Sequence, residues 1–75
     1  MRRRRRTAQY LLCILNDGYP ASLQTRRLYE QVPDKGAEAR GLVRVIDESG
    51  EDYLYPHKLF ATVNLPIPVV RAIAA

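Results

Sequence analysis

The longest apolar run in this 75-residue chain is six residues, Tyr10-Leu11-Leu12-Cys13-Ile14-Leu15. A membrane-spanning helix needs about 18 apolar residues. An isolated water-exposed helix needs about 12 or more residues before it is even marginally stable. Short runs fenced by glycine, proline, asparagine or aspartate are the pattern of strands, and this chain has several. Ala8 to Leu15 is stopped by Asn16-Asp17-Gly18, and Leu28 to Val32 by Pro33-Asp34. Leu42 to Ile46, rich in β-branched residues, runs into Asp47. Ser49-Gly50 then offers a tight turn in which Gly50 takes positive φ. Asp52 to Tyr55 returns as the partner strand, ended by Pro56, which has no ladder donor. His57-Lys58-Leu59-Phe60 has the length of one 3₁₀ turn, and Ala61 to Leu65 can form a last strand. Between these, residues 16–26 and 33–41 read as loops, the second because an isolated Ala-Glu-Ala-Arg turn is unstable in water. Residues 66–75 read as a tail or short helical turn. Five short strands in one small domain imply an all-β fold, a small barrel.

A domain this size buries only about 60% of the surface its unfolded chain exposes. One cysteine, Cys13, and one histidine, His57, supply neither an internal disulfide nor the four ligands of a zinc site. The core must suffice unaided, or a second copy must complete it. The lone thiol suits a reducing compartment. The six-residue apolar run is too short for the core of a secretory signal and leads into turn residues rather than a cleavage site. The expected location is the cytoplasm, without membrane insertion.

The net charge of +4 is unevenly spread. Five of the twelve basic residues are Arg2, Arg3, Arg4, Arg5 and Arg6, and from Thr7 onward seven basic residues face eight acidic ones, a net −1. Residues 1–7 therefore read as a disordered cationic arm on a nearly neutral domain covering residues 8–65. Such an arm can bind nucleic-acid phosphates, touch an anionic membrane surface, or do neither.

The order strand, tight hairpin, then Tyr53-Leu54-Tyr55-Pro56-His57-Lys58-Leu59-Phe60-Ala61-Thr62-Val63 resembles the end of an SH3-type barrel. In that family a distal hairpin leads to a strand, a proline, one 3₁₀ turn and a last strand. Residues 16–27 then stand for the long first loop, 33–41 for the second and Ser49-Gly50 for the distal turn. The resemblance implies a five-stranded SH3-like barrel used as an interaction scaffold. Peptide-binding members grip proline-rich ligands with a tryptophan and an acidic first loop. This chain has no tryptophan, Leu59 where an aromatic is usual, and only Asp17 in the first loop. The stretch from Arg44 to Pro56 is also similar to short bacterial proteins without an assigned function.

The chemistry-bearing residues are few. Asp47, Glu48, Glu51 and Asp52 crowd the hairpin tip, without the fixed alternation of oxygen ligands that a calcium loop requires. They read as a solvated turn. Cys13 and His57 lack an orienting third group and an oxyanion site, and a cysteine inside an apolar strand behaves as a small hydrophobe. No catalytic residue, metal ligand or cofactor is assigned. Alternation places Tyr53 and Tyr55 on one face of their strand and Leu54 on the other. With Val43, Val45 and Leu54 inward, Tyr53, Tyr55 and Arg44 form an exposed patch of the kind that binding hot spots favour. The sequence thus points to a non-enzymatic module binding a protein partner through Tyr53, Tyr55 and Arg44. The alternative is a nucleic-acid-associated protein using its arginine arm.

Overall fold

The computed structural model describes residues 9–74. Five strands, β1 (Gln9–Cys13), β2 (Leu28–Val32), β3 (Leu42–Ile46), β4 (Asp52–Pro56) and β5 (Phe60–Thr62), form one antiparallel sheet. The strand order is β4-β3-β2-β1-β5. A four-residue helix α1 (Lys35–Glu38) lies between β2 and β3, a 3₁₀ turn (His57–Leu59) links β4 to β5, and helix α2 (Ile67–Ala74) follows β5. The small all-β architecture is the one expected. The sheet keeps two edges, β4 and β5, and is not closed by strand pairing. It is nevertheless strongly curled, because Tyr55 of β4 and Phe60 of β5 meet with ring centroids 6.4 Å apart. The arginine arm, residues 1–7, lies outside the described residues.

The core fills the inside of the curl. Leu11 and Cys13 from β1, Tyr29 from β2, Val43 and Val45 from β3, Tyr55 from β4 and Phe60 from β5 form one cluster. Leu59 of the 3₁₀ turn and Leu23 of the first loop complete it. The opposite sheet face carries Leu12, Leu28, Val32, Leu42, Ile46 and Leu54, all half-buried.

Three expectations are corrected. β1 ends at Cys13 rather than Leu15, and Ile14 and Leu15 both donate their N–H to the Leu59 carbonyl, at 2.8 and 3.2 Å. The second loop holds α1. Asp34 caps it by accepting from the Ala37 N–H at 3.0 Å, and Ala37 is buried. The cap and the buried alanine supply what an isolated turn lacks.

The third correction is the hairpin register. A two-residue Ser49-Gly50 turn would pair Val45 with Leu54. Instead Asp47 donates to the Glu51 carbonyl at 3.0 Å, and Gly50 donates to the Asp47 carbonyl at 3.0 Å with φ +84°. The loop therefore has three residues, a turn followed by a left-handed glycine. One added residue moves the pairing by one and exchanges the faces. Val43 pairs with Tyr55, Arg44 with Leu54 and Val45 with Tyr53. Tyr55, not Leu54, joins the valines in the core.

Candidate functional site

The sheet has two ends, and they differ. At one, where β1 finishes and β3 runs into the hairpin, the first loop folds over the core and is latched to the hairpin tip. Leu23 of that loop is fully buried. The Asn16 Nδ2 donates to the Leu23 carbonyl at 3.0 Å, and the Glu48 N–H donates to the Ser22 carbonyl at 3.0 Å. Tyr29 Oη donates to Glu48 Oε2 at 2.5 Å while accepting from the Gln24 N–H at 2.7 Å. Tyr55 Oη donates to Asp47 Oδ2 at 2.6 Å, and Ser49 donates to Asp47 Oδ1 through its N–H at 2.8 Å and its hydroxyl at 2.5 Å. Asp47 is 7% exposed, so it is a buried anchor and not part of a solvated turn. Burial, the largest single influence, raises its pKa, but the bonds from Ser49 and Tyr55 together hold it below the usual carboxylate value. Burial and the bond to Glu48 push Tyr29 up to about 12. Every polar group named here has its partner inside the protein.

The expected patch of Tyr53, Tyr55 and Arg44 is not assembled. Tyr55 is 4% exposed, packed edge-on against Tyr19 at 4.9 Å, and belongs to the core. Tyr53 is 52% exposed but lies on the same face as Val45. Arg44 lies on the other face, opposite Leu54, where Nε donates to Asp34 Oδ2 at 3.0 Å and Nη1 is 3.6 Å from Asp52 Oδ2. The Ala37 N–H and the Arg44 guanidinium hold Asp34 below the ordinary carboxylate value.

The other end of the sheet is open. There the starts of β1 and β3 and the ends of β2, β4 and β5 surround a groove of about 500 Å³. Leu11 and Val43 form its floor, and Leu42, Leu65 and Val70 of α2 add apolar walls. Its polar residues are Gln9, Tyr10, Gln31, Glu38, His57, Thr62 and Asn64, with no lysine or arginine among the lining residues. Gln9 and Gln31 are cross-strand partners, and Gln31 Nε2 donates weakly to Glu38 Oε2 at 3.4 Å. Gln31 shares the inner face with Tyr29, so an amide stands where a closed core would place an apolar side chain. That departure from the alternation was the available sequence signal for this end.

One wall of the groove is the free edge of β5. The Ile14 N–H bonds the Leu59 carbonyl, and the register pairs Leu12 with Ala61 and Leu11 with Thr62. Hydrogen-bonded pairs alternate along an antiparallel ladder, so Ala61 faces β1. The Thr62 N–H and carbonyl point away from it, toward the edge. On β4, the bonds from Asp47 to Glu51 and from His57 to Gly41 set the same alternation. Pro56 therefore sits where its missing N–H faces outward and costs no ladder bond.

Cys13 is fully buried, its thiol raised by burial and donating to the Leu15 carbonyl at 3.2 Å, whereas His57 is exposed in the groove. No hydrogen bond joins the two among the described residues. Nor do any three His, Cys, Asp or Glu side chains there stand together to hold a metal. No described helix is long and apolar enough to cross a membrane. Arg2 to Arg6 lie outside the described residues. Comparison of the chain with family models, curated proteins and solved structures gives no match.

Proposed function

We propose that the protein is a non-enzymatic interaction module, an SH3-like barrel open along one seam, which binds an extended segment of a partner protein in that seam. The observation that carries the reading is the outward-facing backbone of Thr62 along a groove with an apolar floor. A strand added to an exposed edge gains affinity from backbone hydrogen bonds and specificity from pockets for alternate side chains. Neutral amides, a hydroxyl and one carboxylate suit peptide groups, and the lack of lysine and arginine disfavours phosphates. Nucleic-acid association through Arg2 to Arg6 is the second reading, supported by their concentrated charge.

The test uses the full chain and a library of random unstructured peptides. Selected binders should shift the amide signals of Thr62 and Asn64, protect the Thr62 amide from exchange, and lose binding to Thr62→Pro, which removes an edge donor and no ladder bond. Binders that map to Tyr53 or Arg44 and ignore Thr62→Pro would defeat the seam reading. Duplex DNA bound by the natural chain, and lost when Arg2 to Arg6 become glutamine, would favour the second.

A further inference from the structure

The seam groove carries a charge of its own. Glu38 is the only acid among its lining residues, and none of them is a lysine or arginine. The backbone holds Glu38 in place beside the end of β4. Its carbonyl accepts from the Gly41 N–H at 3.1 Å, and the Gly41 carbonyl accepts from the His57 N–H at 2.9 Å. The carboxylate also closes the start of α1. Glu38 Oε2 accepts from the Asp34 N–H at 3.3 Å and from Gln31 Nε2 at 3.4 Å. Both bonds are long, and both end on the same oxygen. A carboxylate has about four acceptor positions. Among the described residues no donor reaches Glu38 Oε1, and no cation pairs with the group. Asp34, at the other end of the same helical turn, differs: Arg44 Nε lies 3.0 Å from its Oδ2.

We propose that the extended segment bound in the seam carries a lysine or arginine that pairs with Glu38, two residues from an apolar side chain that rests on Leu11 and Val43. This preference rests on the seam reading and gives the ligand its chemistry. In an extended segment, residues two apart share a face, so one face can present both the apolar side chain and the basic one to the groove. The methylene stem of a lysine or arginine suits the apolar floor, while its charged head reaches the exposed carboxylate. A segment without a basic residue takes water from Glu38 and returns no partner, which is costly. A segment with an acid at that position adds repulsion. Selectivity thus comes from what the groove rejects as well as from what it holds.

Random unstructured peptides selected on the full chain and its variants test the proposal. Binders that Thr62→Pro loses should be enriched in lysine or arginine two residues from an apolar residue. In one such peptide, replacing the basic residue by glutamine should weaken binding about threefold to fivefold, as for a partly exposed ion pair. Glu38→Gln keeps an acceptor for the Asp34 N–H and Gln31 but loses the charge, and on that variant the same replacement should leave affinity unchanged. Glu38→Lys should turn the enrichment toward aspartate and glutamate. Thr62-dependent binders with no basic enrichment would overturn the preference and leave the seam reading standing. So would a basic residue whose replacement weakens binding equally on the natural chain and on Glu38→Gln. Binders indifferent to Thr62→Pro would remove the seam reading, and the preference with it.

Discussion

The two ends of this sheet are built on the same five strands and reach opposite states. At the hairpin end, a 14-residue stretch between β1 and β2 folds back, plugs the core with Leu23 and is tied down by the bonds from the Glu48 N–H to the Ser22 carbonyl and from the Gln24 N–H to Tyr29 Oη. At the other end, the linkers are shorter or turn away, and Leu11 and Val43 are left at the bottom of a groove rimmed by amides. A curled sheet buries its middle automatically, but whether an end is sealed depends on a loop long enough to cross it. Here one connection does so, and the end it does not cover is the one that holds the groove.

If that contrast is right, substitutions at the two ends should differ in kind. Tyr55→Ala should cost about 3–5 kcal/mol in urea unfolding, as for other large aromatic truncations in a core. Tyr53→Ala, two residues away, should stay within about 0.5 kcal/mol. Equal effects would mean that β4 does not divide as the register indicates.

Asp47→Ala should cost about 2–3 kcal/mol, because it strands the Tyr55 hydroxyl and the Ser49 N–H in a buried site. The same latch predicts the pH dependence. Asp47 has a folded-state pKa below its unfolded value, so its contribution is complete above the ordinary carboxylate pKa and is lost as pH falls through the depressed one. Tyr29 is shifted the other way, from 10 to about 12. Its contribution is complete below pH 10 and is lost as pH rises from there through about 12. Melting curves across both ranges should lose the acid-side term in Asp47→Asn and the alkaline one in Tyr29→Phe.

Gly50→Val should cost at least about 1 kcal/mol, since a β-branched residue is strained at φ +84°. A smaller loss would show that the three-residue hairpin loop relaxes to another turn. At the open end, Gln9→Ala and Asn64→Ala should each change stability by less than about 0.5 kcal/mol, as exposed positions usually do. A larger loss at either would show the groove to be part of the stabilising core.

Much of the local structure was legible in the residues. The strands at 28–32 and 42–46 and the 3₁₀ turn at 57–59 fall where alternation, β-branching and Pro56 place them. Gly50 has the positive φ its place in a turn implied. Legibility failed where the deciding partner was distant. Asp47 and Glu48 looked like turn residues because their tyrosine partners are 8 and 19 positions away. Arg26 lies at φ +68°, a conformation that favours glycine, because the Cys13 carbonyl accepts from its N–H at 2.7 Å while the Cys13 N–H bonds Arg27. Two residues there oppose one, a bulge that nothing in Thr25-Arg26-Arg27 announces.

By itself, the sequence determined that the chain is a set of short strands, that its excess of positive charge lies in one segment, and that it lacks the residues for a disulfide or a zinc site. Those properties depend on composition and on spacings of a few residues, which local sterics and hydrophobic alternation control. The tertiary structure decided which faces of β4 are buried, that α1 forms, which end of the sheet is sealed, and that Tyr10 is buried with no hydrogen-bond partner for its hydroxyl among the described residues. Each of these turns on long-range pairing or on one residue of loop length. A one-residue shift exchanges the two faces of a strand, so small local differences acquire consequences only when the whole sheet is assembled.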